Sequence, residues 1–141
     1  MPRVNIQQCQ PEAYNAMFGL EKYLSNSTVD ANLREIIRIR ASVLNGCQFC
    51  TGMHSENAKS LGVSEEKISA ITNWQQSKLF SDKEQAVLNM TDSVTHISAN
   101  GLPEETYQKA AAFFSESEMA QLIMLMAAIN AWNRMGISMA G

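Results

Sequence analysis

Residues 35–54 read EIIRIRASVLNGCQFCTGMH, and this stretch decides the fold. Its first half carries Ile36, Ile37, Arg40 and Leu44, which continue a helical spacing begun at Leu33. The polar break SNSTVD ahead of it supplies N-cap candidates, so the spacing predicts a helix from about Val29 to Leu44. Asn45-Gly46 ends that helix, because Gly or Asn takes the left-handed position after a helix at little cost. A second helix follows from about Gln48 to Ser60 and stops at Leu61-Gly62. The two form a hairpin, with Cys47 at the turn and Cys50 in the first turn of the returning helix.

The same signals recur outward from the hairpin. A first helix is expected from about Pro11 to Leu24. Ser64 caps another that reaches to about Trp74. Ser81-Asp82-Lys83-Glu84 is a capping box opening a helix with Val87, Leu88, Met90, Val94 and Ile97. Pro103 suits a first helical turn, with Glu104 and Glu105 at the positive end. Ser115-Glu116-Ser117-Glu118 is a second capping box, ahead of a long last helix to about Met135. That helix contains MAQLIMLMAAINAW, apolar nearly all round, and is expected to be buried within the monomer or against a second subunit. No alternating β-branched run reads as a strand. The expectation is one all-α domain over residues 1–141, a bundle of about six or seven helices that assembles as a homo-oligomer.

Composition narrows the function. Hydrophobic residues make up 45% and charged residues 18%, which is globular rather than disordered. A net charge of −3 argues against nucleic acid or an anionic membrane surface as partner. No apolar run approaches the ~20 residues that span a bilayer, and MPRVNIQQCQPEAY has no apolar stretch of a secretory signal, so the cytoplasm is the expected location. The nine methionines are read as adaptable core filling.

Chemistry concentrates in Glu35, Cys47, Cys50 and His54. In a reducing compartment a close cysteine pair is more often catalytic or metal-binding than structural. His54 lies four residues beyond Cys50, on the same helix face and roughly 6 Å away. Glu35, eleven residues before Gly46, comes alongside His54 in a hairpin if it faces inward. The spatial order is then thiol, base and orienter. A helix N-terminus favours the thiolate, a histidine can take its proton, and a carboxylate can hold that histidine in the useful tautomer. Cys50 is nearer His54, so attack is assigned to Cys50 and resolution, by disulfide formation, to Cys47. As half of a zinc site the CxxC reaches only three ligands with His54. Cys9 and His96 are read as incidental, His96 as a partner of a helix C-terminal dipole. Nothing in the residues calls for a cofactor.

The pattern Glu35, eleven residues, Cys47-Gln48-Phe49-Cys50, three residues, His54 resembles the core motif of the AhpD-like alkylhydroperoxidases of the carboxymuconolactone decarboxylase superfamily. Phe80-Ser81-Asp82-Lys83-Glu84 is similar to the segment opening the helix after that motif, and Ala131-Trp132-Asn133-Arg134 to the final-helix signature. The resemblance implies an all-α fold, trimers or hexamers, and peroxide reduction with the second cysteine peroxidatic and the first resolving. It also implies a Glu35–His54 proton relay and re-reduction by a dithiol or lipoyl-bearing protein. Better-known AhpD proteins are longer and have a histidine between the cysteines where this chain has Phe49, which implies a simpler relay and weaker peroxidase activity. Two other readings are a lactone-decarboxylating lyase of the same superfamily, which needs no redox pair, and a redox-sensing or zinc-binding scaffold without turnover.

Overall fold

The computed structural model describes residues 2–140, which are helical with no strand among them. The order is α1 (Ile6–Cys9), α2 (Pro11–Ser25), α3 (Ala31–Asn45), α4 (Gln48–Ser60), α5 (Glu65–Ala70), a 3-10 turn (Ile71–Gln76), α6 (Asp82–Thr95), α7 (Ile97–Asn100), α8 (Glu104–Ala111) and α9 (Glu116–Met139). The hairpin expected from residues 35–54 is α3 and α4. Asp30 caps α3, its carboxylate accepting from the Leu33 N–H. At the other end Gly46 takes φ +75°, the Gly46 N–H reaches the Val43 carbonyl at 3.1 Å and the Cys47 N–H the Ser42 carbonyl at 2.9 Å. This doubly bonded helix end reverses the chain within two residues and delivers Cys47 as the N-cap of α4.

α3 is the helix around which the others pack. Every residue from Glu35 to Ser42 is buried. Ile37 joins Leu24, Leu33, Val87, Met90, Leu122, Leu125 and Met126 in a cluster shared with α2, α6 and α9. Ile36 and Ile39 point the other way, into Ala58, Val63, Ile71, Trp74, Phe80 and Leu88. At ~1.5–3 kcal/mol for each large apolar side chain fully removed from water, the three isoleucines alone anchor both halves of the bundle. Polar side chains of α3 and α9 meet in a small hydrogen-bond network. Asn133 donates to Ser42 Oγ at 3.0 Å, and Asn45 donates to the side-chain oxygens of Asn130 and Asn133 at 2.9 and 3.0 Å. Arg40 grips Asp92 with two nitrogens at 2.7 and 3.1 Å and caps the carbonyls of Ile71 and Thr72.

Four local readings change. The helix expected to reach Trp74 ends at Ala70 and tightens into the 3-10 turn, which kinks at Asn73 (φ −127°, ψ 48°) so that Trp74 can bury its ring and donate to Asp92. Pro103 stands just outside α8 as its extended N-cap instead of within the first turn. The short α1 and α7 were not legible from periodicity, being one turn each. Finally, α9 runs one turn past Met135, to Met139. The helix continues through Gly136 although glycine costs ~0.5–1 kcal/mol inside a helix, a local preference that tertiary packing overrides. Nor is α9 covered on all sides. Ala120, Ile123, Met124, Ala127, Arg134 and Ile137 form an exposed stripe at helical spacing that is apolar but for one arginine.

Candidate functional site: a cysteine pair beside a buried Glu–His–Arg cluster

The first turn of α4 presents both motif cysteines. Cys47 and Cys50 are joined by a disulfide, and both are buried. As N-cap, Cys47 accepts the Cys50 N–H on its sulfur at 3.3 Å, while Thr51 Oγ1 donates to the Cys47 carbonyl at 2.9 Å. The sulfurs therefore lie among the unpaired N–H groups of a helix start, where a thiolate is favoured once the disulfide is opened. Gly136 of α9 faces them. A methyl group at that position would lie 3.8 Å from the Cys47 sulfur and 4.0 Å from that of Cys50. Glycine leaves this space above the disulfide open.

One turn on from Cys50, His54 meets Glu35 across the hairpin. Their Nδ1–Oε2 separation is 2.8 Å, with both side chains nearly buried. The second oxygen of Glu35 accepts from Arg38 at 3.0 Å, one helical turn along α3. Burial by itself pushes the Glu35 carboxyl up, but the hydrogen bond and charge of His54, with the charge and hydrogen bond of Arg38, outweigh it and hold the carboxyl below its ordinary value. Glu35 is thus a carboxylate, which can only accept. His54 Nδ1 must then carry a hydrogen, so that whenever the ring holds a single proton it is Nε2 that is the acceptor. Arg38 extends the cluster to α2, reaching Glu21 at 3.3 Å, and Trp132 of α9 donates its indole N–H to the other Glu21 oxygen at 2.8 Å.

A cavity of about 380 Å³ opens beside this cluster. Cys50 and His54 share its wall with Arg38 and Glu21, and the remainder is apolar, with Tyr14, Phe18, Phe49 and Trp132 as its aromatic part. Cys47 is not among the lining residues, and Glu35 stands behind His54. The structure therefore brings together all four residues expected from the motif: two as a disulfide, two as a hydrogen-bonded pair, and one of each pair on one cavity. Cys9 is free and exposed in α1, and His96 is exposed at the end of α6, both apart from the cavity. No group of three His, Cys, Asp or Glu residues able to hold a metal occurs among the described residues. Sequence reasoning missed Arg38, Glu21 and Gly136. Arg38 had a local signal, its i+3 spacing from Glu35. Glu21 and Gly136 had none, since their roles arise from helices distant in sequence.

A helical bundle with a CxxC disulfide at a helix start and a buried Glu–His pair across the hairpin defines an AhpD-like dithiol protein. The comparisons agree. The model of the carboxymuconolactone decarboxylase family matches residues 11–93. The uncharacterized protein YdfG of Bacillus subtilis (strain 168) is 33% identical over 137 residues, 97% of this chain and 93% of that one. A solved Agrobacterium tumefaciens protein of unknown function, described as a candidate AhpD antioxidant defence protein, superposes with a TM-score of 0.95 at 33% identity, over 99% of this chain and 95% of that one. The debrominase Bmp8 shares the fold alone, with a TM-score of 0.81 at 23% identity over 94% of this chain and 72% of that one. The chain belongs to the carboxymuconolactone decarboxylase family.

The Glu35 cluster has a consequence for stability. Because the folded carboxyl is held below its ordinary value of 4.5, its contribution is present above that value and is lost as pH falls through the lower folded value. Urea unfolding followed by circular dichroism should show stability falling with acid below about pH 4.5. Glu35→Gln should lose stability at neutral pH and show a shallower acid limb. An unchanged acid limb would mean that Glu35 is not ionised against these partners in the folded state.

Proposed function

We propose that this protein is a thiol-dependent peroxidase of the alkylhydroperoxidase type, reducing hydroperoxides through the Cys47–Cys50 pair with Glu35 and His54 as a proton relay. One observation carries the reading: of the two cysteines, Cys50 lines the cavity, together with a histidine held by a buried carboxylate. In the reduced protein His54 Nε2 takes the Cys50 proton. The thiolate attacks the terminal oxygen of a hydroperoxide, the O–O bond breaks, and the departing alkoxide collects the proton from His54 to leave as an alcohol. Cys50 is then a sulfenic acid. Cys47 Sγ attacks the Cys50 sulfur, and the hydroxyl leaves with a proton as water. The balance is one hydroperoxide and two thiols in, with one alcohol, one water and one disulfide out. A dithiol or lipoyl-type reductant protein reopens the disulfide by exchange.

Lactone decarboxylation, the alternative within the family, makes no use of a redox pair, and the disulfide at the cavity wall counts against it. The exposed apolar stripe of α9, with Phe18 and Tyr23 each 50% exposed on α2, supports a homo-oligomer, a trimer or a hexamer. Light scattering should give a mass several times 15.6 kDa. A stable monomer at micromolar concentration would remove that part of the proposal.

The cysteines are expected to divide the labour. Cys50→Ser should abolish the first reaction with an organic hydroperoxide. Cys47→Ser should still be oxidised once, leaving a sulfenic acid on Cys50 that dimedone traps and mass spectrometry locates. Peroxide-reactive Cys47 beside an inert Cys50 would reverse the assignment. Two thiols that both ignore hydroperoxides would end the peroxidase reading.

A further inference from the structure

The cavity's charge content bears on what enters it. Arg38 is the one Lys or Arg among the lining residues, and it is buried with both ends of its guanidinium engaged, Nη1 on Glu35 and Nη2 on Glu21. The other oxygen of Glu21 is taken by the Trp132 indole, and that of Glu35 by His54. Glu21 and Glu35 as ionised set two negative charges against the single positive charge of Arg38. A carboxylate entering here meets no free cation, loses its water, and stands beside Glu21. The apolar part has an equally definite shape. Tyr14, Phe18 and Trp132 pack as a three-ring cluster, with centroids 5.5–5.8 Å apart in edge-on and tilted arrangements. A further aromatic ring extends such a cluster, and 380 Å³ lies within the ~300–1,000 Å³ of small-molecule sites.

We infer that the site takes uncharged hydroperoxides with an aromatic or comparably bulky apolar body, and that Glu21 is the specificity residue that turns away carboxylate-bearing ones, by occupying Arg38 and adding its own charge. The inference rests on the peroxidase reading for the word hydroperoxide only; the selection between neutral and anionic bodies is a property of the cavity in the disulfide form. Glu21→Gln is the discriminating change. The amide oxygen still accepts the Trp132 N–H, while the negative charge is gone and one arm of Arg38 is released to pair with an incoming carboxylate.

The experiment therefore uses inert product-like probes and the oxidised protein, so that turnover plays no part. Cumyl alcohol and its para-carboxylate are titrated while the Trp132 indole N–H resonance, identified by its loss in Trp132→Phe, is followed by NMR. Cumyl alcohol should shift that resonance saturably, and the carboxylate should bind at least about tenfold more weakly, in keeping with an unpaired charge brought beside a carboxylate. In Glu21→Gln the gap should close to within about threefold. In the native protein, added salt should narrow it, because Coulombic exclusion is screened and steric exclusion is not. Equal binding of the two probes, or a gap that neither salt nor a folded Glu21→Gln protein alters, would overturn the inference. Selection of neutral probes by a protein whose thiols ignore hydroperoxides would retain it and discard the peroxidase reading.

Discussion

A carboxylate buried on the central helix has to be satisfied, and in this protein its partners come from the elements that build the site. Glu35 takes His54 from α4 on one oxygen and Arg38 from its own helix on the other. Arg38 passes the demand to Glu21 on α2, and Glu21 passes it to Trp132 on α9. Four helices are joined by one run of charge-assisted and polar hydrogen bonds. Removing a single member would strand a charge in a nearly dry place, at a cost of ~3–5 kcal/mol for a buried ion pair, less for the partly exposed Glu21. The cluster therefore fixes where the imidazole of His54 stands and which of its nitrogens is free.

The backbone supplies the other half of the arrangement. The left-handed Gly46 turns α3 into α4 so tightly that Cys47 becomes a helix cap, and Cys50 follows within the first turn. Helical geometry then places His54 one turn from Cys50 and level with Glu35 on the neighbouring helix of the hairpin. α9 closes the site from the far side. Its Asn133 is locked to Ser42 on the buried face, which carries Gly136 over the sulfurs and Trp132 over the cavity. The disulfide with its Glu35–His54 pair and the wall of the cavity thus come from different parts of the chain, the first from a local hairpin and the second from helices far apart in sequence.

That division also explains what could be read from the residues. The hairpin, its caps and the Glu35, Cys47, Cys50 and His54 constellation follow from spacing within twenty residues, where helical geometry is a reliable ruler. Both capping boxes were legible for the same reason: the Ser81–Glu84 and Ser115–Glu118 bonds are local and reciprocal. Glu21 was not legible, because a glutamate on an amphipathic helix is ordinarily a solvated one and its partners sit on α3 and α9. Gly136 was not legible either, because its place over the sulfurs depends on how α9 packs against the hairpin. The break at Ala70 and the kink at Asn73 answer to the burial of Trp74 against Asp92, a tertiary demand that propensity does not encode.

The central claim is that Glu35, acting through His54, governs the reactivity of Cys50. The most direct measurement is the rate of hydroperoxide consumption against pH in a Cys47→Ser protein, with and without Glu35→Gln, each checked for native helicity. The account predicts that Glu35→Gln slows the reaction at neutral pH by about 10²–10⁴-fold and moves the pH at which Cys50 becomes reactive upward. Superimposable pH–rate profiles from two equally folded proteins would show that the pair shapes the site without serving its chemistry.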